Sequence, residues 1–492
     1  MPREQQDYPT LPRSSTLSSL PPEPSLTTAQ DQISSILTDP NSKINKLIIL
    51  DDDPTGTQTC HDISVLTVWD VPSLTTELRK LPTESRGFFI LTNSRALPPS
   101  EAETLIRTIC ENVLQAARTT NEPIDIVLRS DSTLRGHFPL EVDVTQSVFG
   151  APDAVILAPF FFQGGRFTID DVHYVAEGED LLVPAGKTQF ARDATFGYGS
   201  SNLRDYVEEK APGRFAAEQI CSITIEDVRT GGAEKVKEKL VSLPKGAIVV
   251  VNAAAEADMA VFVAGLLQAE SAGKRFLYRT GAAFVSTRLG IRSKLPISAA
   301  ELDLPNPRQT GGLIIAGSYV PKTTAQLNTL ISRRGEKNLS VLEINVEDLV
   351  REDGKDNKHA TEIVTKIVQE AESHLRAGRD TLVMTSRKLI TGSDGLSSLA
   401  VGTKVAEALV DVLKGIEVRP RYIIAKGGIT SSDAATKGLN IKRAWIVGQA
   451  APGVPLWRCD EPTSRHVGVP YVVFPGNVGS ESTLAELVEA WY

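Results

Sequence analysis

One pattern recurs along most of this chain and leaves few folds open. Short apolar runs, each closed by acidic, hydroxyl or glycine residues, alternate with stretches whose apolar residues recur at helical spacing. The first run is Leu47–Leu50, followed by Asp51, Asp52 and Asp53 and then a Pro-Thr-Gly turn. Ile63–Trp69, Phe88–Thr92, Ile124–Leu128, Ala154–Ala158 and Ala247–Val251 continue it, with helical patterns over Pro98–Ala117 and Ala257–Ala272. Runs this apolar belong to strands buried on both faces, so the pattern predicts a mainly parallel sheet covered by helices. Gly164–Phe196 breaks the rule: it is polar, turn-rich and alternating, and predicts a small β insertion at a sheet edge.

Pro, Asn and Gly accumulate around Leu295–Gly312, and the alternation then restarts with Leu313–Gly317, Leu339–Val346, Thr381–Ser386, Tyr422–Gly428, Ala444–Gly448 and Tyr471–Phe474. At 492 residues the chain exceeds what one core organises. The expected fold class is therefore α/β: two α/β domains with mainly parallel sheets facing across an interdomain cleft, and a polar β insertion in the first. The expected boundaries are a leader over 1–44, a first domain over 45–300, a linker over 301–311 and a second domain over 312–492. The leader is rich in Ser, Thr and Pro and reads as disordered. Interdomain clefts are favoured places for small-molecule sites.

Composition excludes several classes. A net charge of −9, from 52 basic against 61 acidic residues, argues against nucleic-acid binding, which needs a basic face. No apolar run approaches the roughly 20 residues that cross a bilayer, and no signal-peptide core precedes the first domain. Cys60, Cys110, Cys221 and Cys459 are too scattered for a metal site or a disulfide framework. The expected compartment is the cytoplasm. A homo-oligomer is compatible with all of this.

The three aspartates admit two chemistries. Asp51-x-Asp53-x-Thr55 after an apolar strand resembles the first motif of haloacid-dehalogenase-like phosphatases, with Asp51 as nucleophile. That chemistry also needs a further acidic pair for Mg²⁺ on a later strand, and none follows between residues 100 and 250. Gly186-Lys187-Thr188 mimics the end of a P-loop, but Leu181 stands where the loop's first glycine belongs. Cys60 and His61 are adjacent, so on a strand they face opposite ways and form no catalytic pair.

Two other groups carry more information. Arg129, Asp131, Ser132 and Arg135 follow the strand Ile124–Leu128; guanidiniums suit a carboxylate, and Asp and Ser suit hydroxyls, so together they suit a polyhydroxylated acid. The Gly164-Gly165-Arg166 turn can bring a third arginine. In the second domain three strand-to-helix turns carry glycine with hydroxyl or amide residues: Gly317-Ser318; Gly427-Gly428, with Thr430 or Ser431 as helix cap; and Gly476-Asn477. Such turns suit nucleotide phosphates.

With these segments in hand, the chain resembles the four-carbon acid sugar kinase family from about Lys46 to Leu487. Asp52-Asp53-Pro54-Thr55-Gly56 matches that family's Asp-Asp-x-Thr-Gly motif, and Arg129–Gly136 matches Lys-x-Asp-Ser-Thr-Leu-Arg-Gly, with Arg129 in place of Lys. Gly165–Thr168, Gly317–Gln326, Gly427–Thr430 and Pro475–Gly479 match four further motifs, with Val320 and Pro475 as departures. The family's usual residue at position 51 is small and apolar, so Asp51 is not expected to act. The resemblance implies ATP- and Mg²⁺-dependent phosphorylation of a tetronate or oxo-tetronate. The mechanism expected from these residues has Asp52 or Asp53 as the base, and substrate contacts at Thr55, Gly56, Arg129, Asp131, Ser132, Arg135 and Arg166. The resemblance implies nucleotide contacts at Ser318, Gly427, Gly428, Ile429, Thr430, Gly476 and Asn477. The readings from other classes are the Asp51 phosphatase and a non-catalytic sugar-acid sensor.

Overall fold

The computed structural model describes residues 7–306, 309–317, 320–350, 358–386 and 395–492. The chain divides into two units. The first comprises the chain up to Ile63 together with Val68–Ser293, and the second comprises Ser64–Thr67 together with Lys294–Tyr492. Both are α/β, as the alternation predicts.

The first unit is built on a parallel sheet. Its strands are β2 (Lys46–Asp51), β4 (Gly87–Leu91), β5 (Ile124–Arg129), β6 (Ala154–Ala158), β10 (Ile220–Ile223), β11 (Ala247–Val251) and β12 (Phe276–Thr280), in the order β10-β11-β6-β12-β5-β2-β4. Helices such as Val71–Glu84, Pro99–Thr120 and Glu256–Ser271 make the crossovers. Register follows from burial: Asp51 stands opposite Leu91 on one side and Arg129 on the other, and Thr280 stands beside Arg129. The carboxyl ends of four strands therefore finish level, which gathers their polar termini at one edge. β12 was not visible in the alternation because Tyr278, Arg279 and Thr280 dilute its apolar run. The interior gives two of these polar groups a partner: Tyr278 hydrogen-bonds to Glu270, and the Arg279 guanidinium lies 3.6 Å from the Glu141 carboxylate, an ion pair.

The polar insertion is an antiparallel meander of β7 (Arg166–Ile169), β8 (Val172–Glu177) and β9 (Leu181–Pro184). Its first turn places both Asp170 and Asp171 at positive φ, 51° and 64°, the geometry of a tight two-residue hairpin. Asn252 locks that turn, accepting from the Asp171 amide at 2.7 Å and donating to its carboxylate at 2.8 Å.

The disordered-leader expectation fails over the described residues from 7 onward. β1 (Leu11–Pro12) adds to β9 as a fourth strand of the insertion sheet. Leu26–Thr38 is a helix capped by Ser25, which accepts from the Thr28 amide at 3.2 Å. It buries Ala29, Ile33 and Leu37 and packs on the helix Glu256–Ser271. Those three residues sit four apart, on one stripe of a helix. A composition average over the surrounding Ser, Thr and Pro hides so narrow a stripe. Arg229 fastens the same segment: it grips buried Asp258 through two hydrogen bonds, at 2.8 and 2.9 Å, and donates to the Pro21 carbonyl at 2.7 Å.

The second unit has β13 (Leu313–Ala316), β14 (Leu339–Ile344), β15 (Asp380–Thr385), β16 (Ile423–Lys426), β17 (Arg443–Ala451), β18 (Val454–Arg458) and β19 (Pro470–Phe474). The order β17-β18-β19-β16-β13-β15-β14 is parallel from β19 onward and antiparallel before it. β3 (Ile63–Leu66), which the apolar run 63–69 predicted, lies beside β17, and the Thr67 amide donates to the Lys442 carbonyl at 3.0 Å. Just before the expected linker, Ile297 is buried in the second core and its amide donates to the Gln449 carbonyl at 2.8 Å; within it, Leu302 and Leu304 pack against the same core. Among the described residues no helix is long and apolar enough to cross a membrane.

The leader helix gives a direct test. Ile33→Ala should cost about 2–5 kcal/mol, the usual price of emptying a buried isoleucine site, read as a lower urea midpoint. A leader that packs against nothing would leave the midpoint unchanged.

Candidate functional site

In the first unit, β2 carries Asp51, Asp52 and Asp53 into the carboxyl edge of the sheet, where they behave differently. Asp51 is completely buried. Burial pushes its carboxyl well above the usual range; Arg129, 3.4 Å away, pulls it back, and the charges of Asp52 and Asp53 raise it again. The Thr55-Gly56 turn lies directly on it: a β-carbon at Gly56 would stand 1.9 Å from the Asp51 Oδ1. Gly56, expected among substrate contacts, is buried here and serves that close packing.

Asp52 is held by a residue the sequence reading did not single out. Arg95 donates to both of its oxygens, Nε to Oδ2 at 3.1 Å and a terminal nitrogen to Oδ1 at 2.5 Å. The same guanidinium lies 3.6 Å from Asp53. Asp53 caps the short 3-10 turn Pro54–Thr57, accepting the Thr55 amide at 2.9 Å and hydroxyl at 2.6 Å on Oδ1. Burial opposes its charge, but Arg95, the Thr55 hydroxyl and Arg129 outweigh that and lower its pKa. Its side chain stays 23% exposed, against 3% for Asp52. Asp53 is thus the ionised carboxylate of the three that keeps access. Arg95 could have been found by asking which residues follow β4, since it is the fourth after that strand ends.

The Arg129–Gly136 segment forms the neighbouring wall. Asp131 accepts from Arg135 Nε at 2.6 Å and from the Thr133 hydroxyl. Burial would raise its pKa; Arg95 and Arg135 pull it far below the usual range. His173 Nε2 lies 2.7 Å from the Ser132 carbonyl, and its Nδ1 lies 3.0 Å from the Thr168 hydroxyl. A carbonyl only accepts, so Nε2 carries the proton and Nδ1 accepts; burial lowers this histidine to about 4, keeping it neutral. Tyr198 and Tyr206 donate to the carbonyls of Thr133 and Leu134 at 2.8 and 2.9 Å, and fix a turn in which Leu134 and Gly136 take φ of 68° and 121°.

Two guanidiniums converge over one ring that the sequence did not flag. Arg135 and Arg166 lie 5.2 and 5.5 Å from the centroid of Phe190, a residue of the insertion. Arg135 is matched by Asp131; Arg166 makes no ion pair among the described residues, and its buried Nε has no hydrogen-bond partner. Arg166 spends one terminal nitrogen on the Gly164 carbonyl; an arginine pair with one member lacking a carboxylate partner suits a carboxylate.

In the second unit, Ala316, Lys426 and Phe474 are register partners, so the turns after β13, β16 and β19 lie side by side. Gly317 packs against Leu409 and Thr430, with room for no β-carbon: one would lie 2.7 Å from Leu409. Gly427 takes φ 116° and starts the short helix Gly428–Asp433. Thr430 and Ser431, expected as caps, lie inside that helix; the Ser431 hydroxyl bonds back to the Ala425 and Gly427 carbonyls, each at 2.7 Å. The helix start therefore has no side-chain cap, and Ile429 beside it is 62% exposed. The loop Pro475–Ser480 is tied to the helix Pro321–Asn338 by Gln326, which donates to the Val478 and Ser480 carbonyls at 3.0 and 2.7 Å. Gly476 and Asn477 thus join the glycine turns of this edge, while Ser318 lies outside the described residues. Lys426, also passed over by the sequence reading, sits buried under them. Its signal was a charge closing an otherwise apolar strand.

Comparison with known proteins agrees with this division of labour. Residues 47–288 match the family described as a sugar-binding N-terminal domain, and residues 313–484 match one described as a nucleotide-binding C-terminal domain. A D-erythronate kinase of Heliobacterium modesticaldum is 28% identical over 253 residues, 49% of this chain and 49% of that protein. The match thus spans about half the length of that curated relative. Among solved structures, a Salmonella typhimurium LT2 protein superposes with a TM-score of 0.63 at 17% identity, over 90% of this chain and 98% of its own. A Haemophilus influenzae protein from a domain-of-unknown-function family gives 0.58 at 17%, over 91% and 100%. At that identity the likeness speaks for the fold.

Arg95→Met should expose what the shared cation does. Asp53 and Asp131 have pKa values below their unfolded ones, so their stabilisation is present above about pH 4 and lost as pH falls through the lowered values. The variant should lose about 3–5 kcal/mol at pH 7 and distinctly less at pH 3, by urea unfolding. An equal loss at both would mean that Arg95 acts through packing alone.

Proposed function

The chain belongs to the four-carbon acid sugar kinase family, and from that premise we propose that it transfers the γ-phosphoryl group of ATP to a hydroxyl of a tetronate or oxo-tetronate. The observation that carries the substrate class is the Arg135–Arg166 pair over Phe190, with an unmatched guanidinium, beside a wall of carboxylate and hydroxyl groups. A small hydroxy-acid offers the complement: one carboxylate for the arginines, hydroxyls for Asp131, Ser132 and Thr55.

Asp53 is the base in this reading. Both Asp52 oxygens are occupied by Arg95, whereas Asp53 Oδ2 faces only the more distant Arg95 nitrogen. A carboxylate within hydrogen-bond reach of an alcohol orients it and takes its proton. The alcohol oxygen forms a bond to the γ-phosphorus, the bond from phosphorus to the β–γ bridging oxygen breaks, and ADP leaves. Asp52, held by Arg95, keeps that guanidinium in place beside Asp53. Arg129 neutralises the strand end from beneath.

The nucleotide belongs to the carboxyl edge of the second unit, where the uncapped amides after Gly427, the close-packed Gly317, and Lys322 with Lys426 favour a polyphosphate. Direct transfer requires the two edges to meet during turnover, and exclusion of water then keeps ATP from being hydrolysed. Mg²⁺ is assigned to the nucleotide it arrives on.

The phosphatase reading is disfavoured by Asp51 itself, which is sealed under the Gly56 turn and held toward its neutral form. A coupled ADP-release screen over erythronate, threonate and their oxo forms tests the proposal. Asp53→Asn should lower kcat about 10²–10⁴-fold, while Asp51→Asn, which mimics a neutral carboxyl, should change it little. Activity lost only in Asp51→Asn, or ligand binding with no ADP release, would overturn the kinase.

A further inference from the structure

Lys426 closes β16 and is fully buried. A buried ammonium is ordinarily matched by a carboxylate, yet Lys426 makes no ion pair among the described residues. Its Nζ donates to the Pro475 carbonyl at 2.5 Å, lies 3.5 Å from that of Gly476, and sits 4.1 Å from the centroid of the Phe474 ring. Among the described residues, the other groups around it do not supply a negative charge. From the helix Pro321–Asn338 comes Lys322, a second cation, whose Nζ lies 3.5 Å from the Asn477 carbonyl. On the helix Gly428–Asp433, Asp433 pairs with Lys437 at 2.8 Å; on β19, the Tyr471 hydroxyl is spent on the Ser431 carbonyl; β13 brings no charge.

These bonds also set the direction of a loop. The carbonyls of Pro475, Gly476 and Asn477 all face the two lysines, and Thr323 donates to the Gly476 carbonyl as well, at 3.3 Å. In a planar trans peptide the N–H points opposite to the C=O. The amides of Gly476, Asn477 and Val478 are thereby turned away from the lysines, and none of them has an acceptor among the described residues. Consecutive free amides make an anion-binding concavity.

We propose that Lys426 is a positioning residue for the phosphate chain of the nucleotide: it draws the Pro475–Asn477 carbonyls inward, aims the amides of that turn at the phosphates, and adds from beneath a charge that the bound polyanion balances. The proposal rests on the nucleotide reading of this edge. Burial, and then Lys322, lower Lys426 to about 7, so the charge is complete at acid pH, about half present at pH 7 and lost above it. A bound anion favours the protonated form, so affinity is highest below about 7 and falls as pH rises through the pKa of the complex.

The test is ADP binding to the full chain by calorimetry, in magnesium buffer from pH 6.5 to 9, for wild type, Lys426→Arg and Lys426→Met. Ionisation of the nucleotide is common to all three and cancels in their ratios. Lys426→Met should bind about tenfold more weakly at pH 6.5, and wild type should lose about tenfold relative to Lys426→Arg by pH 9, the effect of one unit of coupling. Wild-type affinity in Lys426→Met, or parallel pH profiles for wild type and Lys426→Arg, would overturn the proposal. If Lys426→Met does not fold, the arginine comparison decides. No ADP binding by wild type at any pH would overturn the nucleotide reading as well, which separates the two failures.

Discussion

Level strand ends in a buried parallel sheet force a charge problem, and its solution organises the first unit. The register that sets Asp51 against Arg129 also brings Asp52, Asp53 and Asp131 to the same edge. Carboxylates this close and this buried repel one another and lose hydration. Arg95 and Arg129 offset both costs, and do so unequally. Asp51 receives one distant contact and is driven toward neutrality; Asp52 is fully engaged; Asp53 remains charged and reachable. Three consecutive residues of one type thus acquire three separate states from geometry alone.

The edge of the second unit is built by another means. Its glycine turn at Gly427 leaves a helix start without a side-chain cap, two lysines take up the carbonyls of the Pro475–Asn477 turn, and the Ser431 hydroxyl is turned back onto the backbone. Side chains discriminate among small acids by shape and hydrogen-bond pattern, whereas a phosphate chain is the same in every nucleotide and needs only oriented N–H groups. The two edges accordingly differ in kind, one built from charged side chains and the other largely from main-chain groups.

The parts legible in the sequence were those with strong local periodicity. Apolar strands such as Ala154–Ala158 and Ala247–Val251 appear where the alternation put them, because burial on both faces leaves little other choice. The clusters at Asp52-Asp53 and Arg129–Arg135 were visible because they close such strands. Arg95, Phe190 and Lys426 were not, since each acquires meaning from a partner far along the chain: Asp52, Arg166 and Pro475 respectively. The leader helix was missed for a different reason. Three buried apolar residues in thirteen are enough to dock a helix on an existing surface, yet the Ser, Thr and Pro around them dominate a composition average.

The strand segment Ser64–Thr67 has a consequence for how such a protein can be taken apart or recombined. The polypeptide passes from one unit to the other after Ile63, returns after Thr67, and departs again after Ser293. The second unit is not a self-contained cassette, for it borrows a sheet segment encoded more than two hundred residues upstream of Lys294. A gene fragment starting at Lys294 would code for a sheet with one border left raw, and shuffling between relatives would have to carry both pieces together. The path of the backbone therefore ties the inheritance of the two units together.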